Sequence, residues 1–230
     1  MRNILLNYLE DRYQNQPPKS KKKTPGPVIT ISREFGCPAN LCAQDLADIL
    51  TKAEGRNKDP WKVINKEILE RASKELGLTP EKIEFVFKFE KRSTVDEILM
   101  SLSSKYYKSE RKIRNTIREV IRSIGEQGHV IIVGRAGSVI LQDIQSSLHV
   151  KLVAPTDFRV KGVSRRHKIP QSEAKQITDD MDENRSQLRR EFSGKPDSKT
   201  NYDVVLNCEK LKIDSIVGLI ARAAEDHGLI

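Results

Sequence analysis

Cysteine is scarce in this 230-residue chain: Cys37, Cys42 and Cys208 are all it has. Their odd number and the absence of paired ligand spacing exclude a disulfide framework and indicate no zinc site, so the expected setting is a reducing cytoplasm. Long apolar runs are missing as well. The longest clear one, Val130 to Val133, falls far below the roughly 20 residues that a membrane helix needs, and no apolar signal-peptide core opens the sequence. Aromatic residues make up only 5%, and none interrupts the lysine-rich stretch before Pro27. A base-stacking platform needs such interleaving, so nucleic acid through a lysine arm ranks last among the partners. The histidines, His129, His149, His167 and His227, have no spacing that suggests a metal or a nucleophilic triad.

Charge, by contrast, is plentiful: 32% of residues are charged and the net charge is +9. An anionic ligand is therefore expected, a nucleotide or another small phosphorylated molecule. Residues 1–26 read as a short amphipathic helix followed by a basic, proline-bearing linker that behaves as a solvated tether. The folded domain is expected over residues 27–230, with no membrane segment and an oligomeric state that the sequence leaves open.

Within that domain, hydrophobic periodicity alternates between strand and helix. The β-branched run at residues 28–31 and the apolar stretches at 61–64, 129–134, 147–154 and 202–207 read as strands of a parallel sheet. Helical spacing covers residues 41–50, 65–76, much of 94–125, 156–167, 172–190 and 213–226, with Thr156 and Ser172 as N-caps, and Thr79 followed by Pro80 starts a further helix. The fold class that follows is α/β with a mostly parallel sheet of about five strands in three layers. Residues 32–40, between the first strand and the first helix, sit where such folds present backbone N–H groups to phosphate.

Arginines are the best candidates for chemistry, because the planar guanidinium fork holds two phosphate oxygens at once. Arg33 and Arg135 each follow a strand closely, at the sheet's carboxyl edge where ligands collect. Arg33 reads equally as a salt-bridge partner of Asp45. Arg185, Arg189 and Arg190 cluster on one later helix, and Asp182 with Arg185 share a face of it at i, i+3, where a surface ion pair is the plainer reading.

Five segments together resemble the cytidylate kinase-like family of P-loop proteins: VITISREFG (28–36), INKEIL (64–69), IIVGRAGSVIL (131–141), DDMDENR (179–185) and NYDVVLN (201–207). The resemblance implies a P-loop nucleoside kinase-like fold with helical acceptor-binding and lid insertions. It further implies ATP and Mg2+ as cofactors and phosphoryl transfer to a nucleoside monophosphate or other small acceptor. Arg33, Arg135 and Arg185 take the catalytic, charge-offsetting positions. Ser32, Gly36, Cys37 and Asn40 fall in the phosphate loop, Asp182 and Arg189 on the acceptor-side helix, and Arg165 and Arg166 in the lid. No residue is assigned to a metal.

The chain also departs from the family pattern. The positions of the loop lysine and of the magnesium-binding hydroxyl hold Ala39 and Leu41, and Pro38 removes one N–H from the cradle. The acidic residue after Gly-Arg is Ala136. These departures bear on catalysis rather than on fold, and the alternative they favour is an inactive nucleotide- or phosphate-binding module with a degenerate P-loop.

Overall fold

A computed structural model describes residues 25–55, 58–65, 67–77, 110–195 and 198–230. The expected N-terminal helix and linker, the helix expected from Thr79, and the first half of the 94–125 helix lie outside these residues. Five strands, β1 (Val28–Arg33), β2 (Lys62–Ile64), β3 (Val130–Val133), β4 (Ser147–Val153) and β5 (Val204–Asn207), form one sheet. The order is β2-β3-β1-β4-β5 and every pairing is parallel. Parallel strands need crossovers, and helices supply them: α1 (Ala39–Glu54), α2 (Glu67–Leu76), α3 (Glu110–Gln127), the single turn α4 (Gly137–Ile140), α5 (Thr156–His167), α6 (Gln171–Ser193) and α7 (Ile213–Asp226). Among the described residues, no helix is long and apolar enough to cross a membrane.

Alternation along the strands divides the core in two. On one face Ile29, Ile31, Ile131, Val133, Leu148, Val150 and Leu152 pack against α1 and α7, through Leu46, Leu50, Ile216 and Ile220 among others. On the other face Val28, Val130 and Ile132 meet Ile68, Ala72 and Leu76 of α2, the Ile113, Ile117, Ile121 and Ile124 stripe of α3, and Leu188 and Phe192 of α6. A fully buried aliphatic side chain contributes about 1.5–3 kcal/mol, so these two layers carry the stability of the domain.

The second face is not apolar throughout. Where β1 meets β4, Thr30 lies opposite His149, and both are buried. Thr30 Oγ1 is 2.7 Å from His149 Nδ1, and His149 Nε2 is 3.1 Å from Ser147 Oγ. Ser147 uses its one hydrogen on the carbonyl of Ile144 (2.6 Å), which leaves Nε2–H as the donor to Ser147 and Thr30 as the donor to Nδ1. Asp203 accepts from the His149 backbone N–H at 2.6 Å.

Local structure departs from expectation at several edges. β1 runs two residues further, because Ser32 and Arg33 continue the ladder opposite Lys151 and Leu152. α1 starts at Ala39, so the phosphate-loop region shrinks to residues 34–38 and Asn40 lies exposed in the first helical turn. Thr156 and Ser172 are not N-caps: Pro155 and Pro170 occupy those positions in extended conformation (ψ 142° and 150°), with no capping side chain. Proline's fixed φ turns the chain into the helix there and leaves the hydroxyl residues inside it.

Candidate functional site

The ends of β1 and β3 are neighbours, so the turns that follow them lie side by side at the carboxyl edge of the sheet, the place of the ligand crevice in open parallel sheets. After β3 the chain takes three left-handed residues in a row, Gly134 (φ 76°), Arg135 (φ 57°) and Ala136 (φ 56°), before α4 begins. Non-glycine residues avoid this region at roughly 1–2 kcal/mol each. Here the conformation swings Arg135 back towards the end of β1. Gly134 is required for another reason as well: a Cβ there would lie 1.8 Å from Arg33 Nη1, so the guanidinium rests directly on the glycine backbone.

Four arginines share this crevice. Arg33 is deprived of solvent and feels Arg185, Arg135 and Arg189, and its pKa drops to about 9, burial being the larger cause and the like charges adding to it. Arg185 is lowered in the same way, first by burial and then by Arg189 and Arg135, with Asp182 opposing. Among the described residues no carboxylate pairs with Arg33, and Asp45 is exposed on α1, so the salt-bridge reading of Arg33 does not hold. Arg185 Nη1 donates to the Arg33 carbonyl at 3.1 Å, and its guanidinium lies 5.3 Å from the centre of the Phe35 ring. The structure thus brings Arg33, Arg135, Arg185 and Arg189 together.

The remaining candidates divide. Ser32 is buried in β1, 3.4 Å from Ser138 Oγ of α4. Gly36 (φ 95°) packs against Arg159. The Cys37 thiol is pushed up in pKa chiefly by donating to the sulfur of Cys208, which is lowered by accepting; burial pushes Cys42 up to about 11. Arg165 and Arg166 lie exposed in the last turn of α5 and are not among the charges that act on Arg33. Asp182 does not pair with Arg185. Its Oδ1 accepts from the Phe35 N–H at 2.6 Å and its Oδ2 from Arg159 Nη1 at 2.6 Å.

Arg159 is the residue that sequence reading missed. It is buried, and besides Asp182 it reaches the carbonyls of Ala154 (2.9 Å) and Phe35 (3.1 Å), with Glu34 Oε2 at 3.4 Å. Its only sequence signature is its place four residues after Pro155, on the helical side facing Val160 and Val163, where an isolated arginine should not be buried.

The loop offers few free donors. The N–H groups of Glu34, Phe35, Cys37 and Ala39 are taken by Leu152 O, Asp182, Glu34 O and Cys37 O, and Pro38 has none. For a magnesium ion the fit is poor: Leu41, at the position of the expected hydroxyl, is aliphatic and 60% exposed, and no group of three or more His, Cys, Asp or Glu could hold a metal among the described residues. Anionic oxygens fit the guanidinium cluster instead.

A solved structure of an uncharacterised protein from Eubacterium ventriosum superposes with a TM-score of 0.62 at 19% identity, covering 87% of this chain and 98% of that one. A shikimate kinase structure from Bacteroides thetaiotaomicron gives a TM-score of 0.48 at 13% identity, over 86% and 98%. In sequence, a uronate isomerase from Corynebacterium glutamicum is 24% identical over 122 residues, 53% of this chain and 23% of that protein. The chain thus spans about a quarter of the length of that curated relative. The cytidylate kinase-like family model matches residues 28–210, covering all five strands and the arginine crevice: the chain belongs to the cytidylate kinase-like family.

Proposed function

We propose that this chain binds a nucleoside monophosphate or other small phosphorylated acceptor at the arginine crevice and transfers a phosphoryl group to it from ATP. The observation that carries this reading is the convergence of Arg33, Arg135, Arg185 and Arg189, with Arg33 lowered to about 9. Like charges gathered at partly buried positions lower one another's pKa, a cost that a bound anion offsets, and phosphoryl transfer needs positioned charge more than covalent chemistry. Arg33 and Arg135 would hold the acceptor phosphate, and Arg185 would steady the end of β1. Any magnesium arriving with ATP would be held by the nucleotide's phosphates and by water.

A second reading, phosphate binding without turnover, is favoured by one specific observation: Asp182 already accepts the Phe35 N–H at 2.6 Å in a loop followed by Ala39 where a lysine is expected. The two readings separate in one experiment. The full chain is incubated with ATP, Mg2+ and a panel of nucleoside monophosphates, diphosphate formation is followed by 31P NMR, and binding is measured beside it by calorimetry. The kinase reading expects a diphosphate product, and Arg135→Ala should weaken acceptor binding about 10- to 100-fold, from about 1.5–3 kcal/mol for a charged hydrogen bond. Binding without product supports the second reading. No product together with Arg135→Ala binding as well as wild type rejects the site.

A further inference from the structure

We infer that Arg159 is the positioning residue of the phosphate loop, clasping residues 34–37 through Asp182 and so tying the α5–α6 hairpin to the loop. This rests on the reading of residues 34–38 as the phosphate-facing loop given above. In a loop of this kind a bound phosphate and a lysine gather the backbone amides. Here Ala39 cannot, and the described structure shows another gatherer. One guanidinium reaches Phe35 O, Ala154 O, Asp182 Oδ2 and Glu34 Oε2 at 2.6–3.4 Å, and Asp182 then takes the Phe35 N–H.

Three elements close around this arginine. The Glu34 carboxylate accepts from the Ala154 N–H at 3.0 Å, joining the loop to the end of β4. Gly36 lies so close to Arg159 that a Cβ on it would come within 3.1 Å of the arginine's own. Arg159 belongs to α5 and Asp182 to α6, so whatever tilts that hairpin also pulls on the curve of the loop.

The test uses Cys37 as a reporter, because it lies in the loop while Cys42 and Cys208 are buried. In the full chain, labelling of Cys37 by an aromatic disulfide reagent is timed for wild type, Arg159→Met and Asp182→Asn, with Cys37→Ser as the blank and thermal melting as the check on folding. Arg159→Met is expected to label about tenfold faster as local opening becomes easier, and Asp182→Asn to accelerate in the same direction by less. Arg159→Lys, which keeps the charge and loses the fork, should fall between wild type and Arg159→Met. Pyrophosphate affinity, measured in parallel, should drop in Arg159→Met, while inorganic phosphate binding at the arginine crevice stays within about threefold.

Unchanged labelling and unchanged pyrophosphate affinity in a folded Arg159→Met overturn the clasp and leave the crevice reading intact. Wild type that binds no phosphate or pyrophosphate overturns the crevice reading, while the labelling rates still decide the clasp. Should Arg159→Met not fold, Asp182→Asn decides, since it is close to isosteric and its single amide oxygen can accept from Arg159 or from the Phe35 N–H but not keep both oxygens' roles, its NH2 facing the other donor; a wild-type labelling rate in that variant overturns the clasp.

Discussion

Gly134 and Arg33 show how much one hydrogen atom can decide. Replacing Gly134 by alanine puts a methyl carbon 1.8 Å from Arg33 Nη1 and a side chain on a residue at φ 76°. The guanidinium must leave, and the left-handed backbone costs roughly 1–2 kcal/mol more. Gly134→Ala should therefore melt at lower temperature and, in the folded fraction, bind inorganic phosphate more weakly; phosphate titrations by calorimetry check it. Ala136→Gly works the opposite way. It relieves a left-handed alanine at φ 56° and should leave stability unchanged or raise it by up to about 1 kcal/mol, the gain being cut by the extra freedom of glycine in the unfolded chain. Urea unfolding measures it.

His149 makes a prediction with a sign. Burial lowers its pKa below the ordinary 6.5; Asp203 pulls it back up and His227 adds to the lowering. On acidification the unfolded chain takes up this proton first. Stability from the neutral ring is complete above the unfolded value and is lost as pH falls through it towards the folded one. The melting temperature should thus fall between pH 7.5 and pH 5, and His149→Asn should flatten that slope while lowering stability at pH 7.5.

Among the elements, strands were the most legible part of the sequence. Val28 to Ile31 and Val130 to Val133 are β-branched runs, the Ser147 strand carries Val150, Leu152 and Val153, and all appear in the sheet within a few residues of their expected bounds. Where the reading stopped short, the cause is a partner far away in sequence. Ser32 and Arg33 look like loop residues, yet β4 offers them ladder partners in Lys151 and Leu152. Thr156 and Ser172 look like caps, yet the prolines before them already set the turn. Arg33, Arg135, Arg185 and Arg189 could be picked out because arginine just past a strand, or on one helix face, is a local pattern. Arg159 could not, because its partners Phe35 and Asp182 lie 124 and 23 residues away. Helix α1 yields a check on packing at this scale: Leu46, fully buried between the sheet and the α7 side of the core, should cost about 2–5 kcal/mol when replaced by alanine, read from chemical denaturation.

At the scale of the whole molecule, the β2-β3-β1-β4-β5 order is what makes a site possible at all. Chain order alone would never place the last residue of β1 beside the turn after β3; the crossover of α1, α2 and α3 does. With a net charge of +9 over the whole chain and four arginines acting on one another at the carboxyl edge of the sheet, the folded chain should be stabilised by inorganic phosphate, by about 2.7 kcal/mol at a hundredfold excess over Kd. Scanning calorimetry across a phosphate series checks this, and Arg135→Ala should show a smaller shift.

The buried trio of Thr30, His149 and Ser147 has a meaning beyond acid sensitivity. Two parallel strands rich in valine, isoleucine and leucine could slide past each other by two residues with little change in how grease meets grease. One slide would set Thr30 against Lys151 and the imidazole against Val28, with no hydroxyl to meet it; the other would set Thr30 against Ser147 and the imidazole against Ser32, which already lies beside Ser138. The trio therefore works as an index mark between the two central strands, giving one alignment out of several that hydrophobicity alone would tolerate.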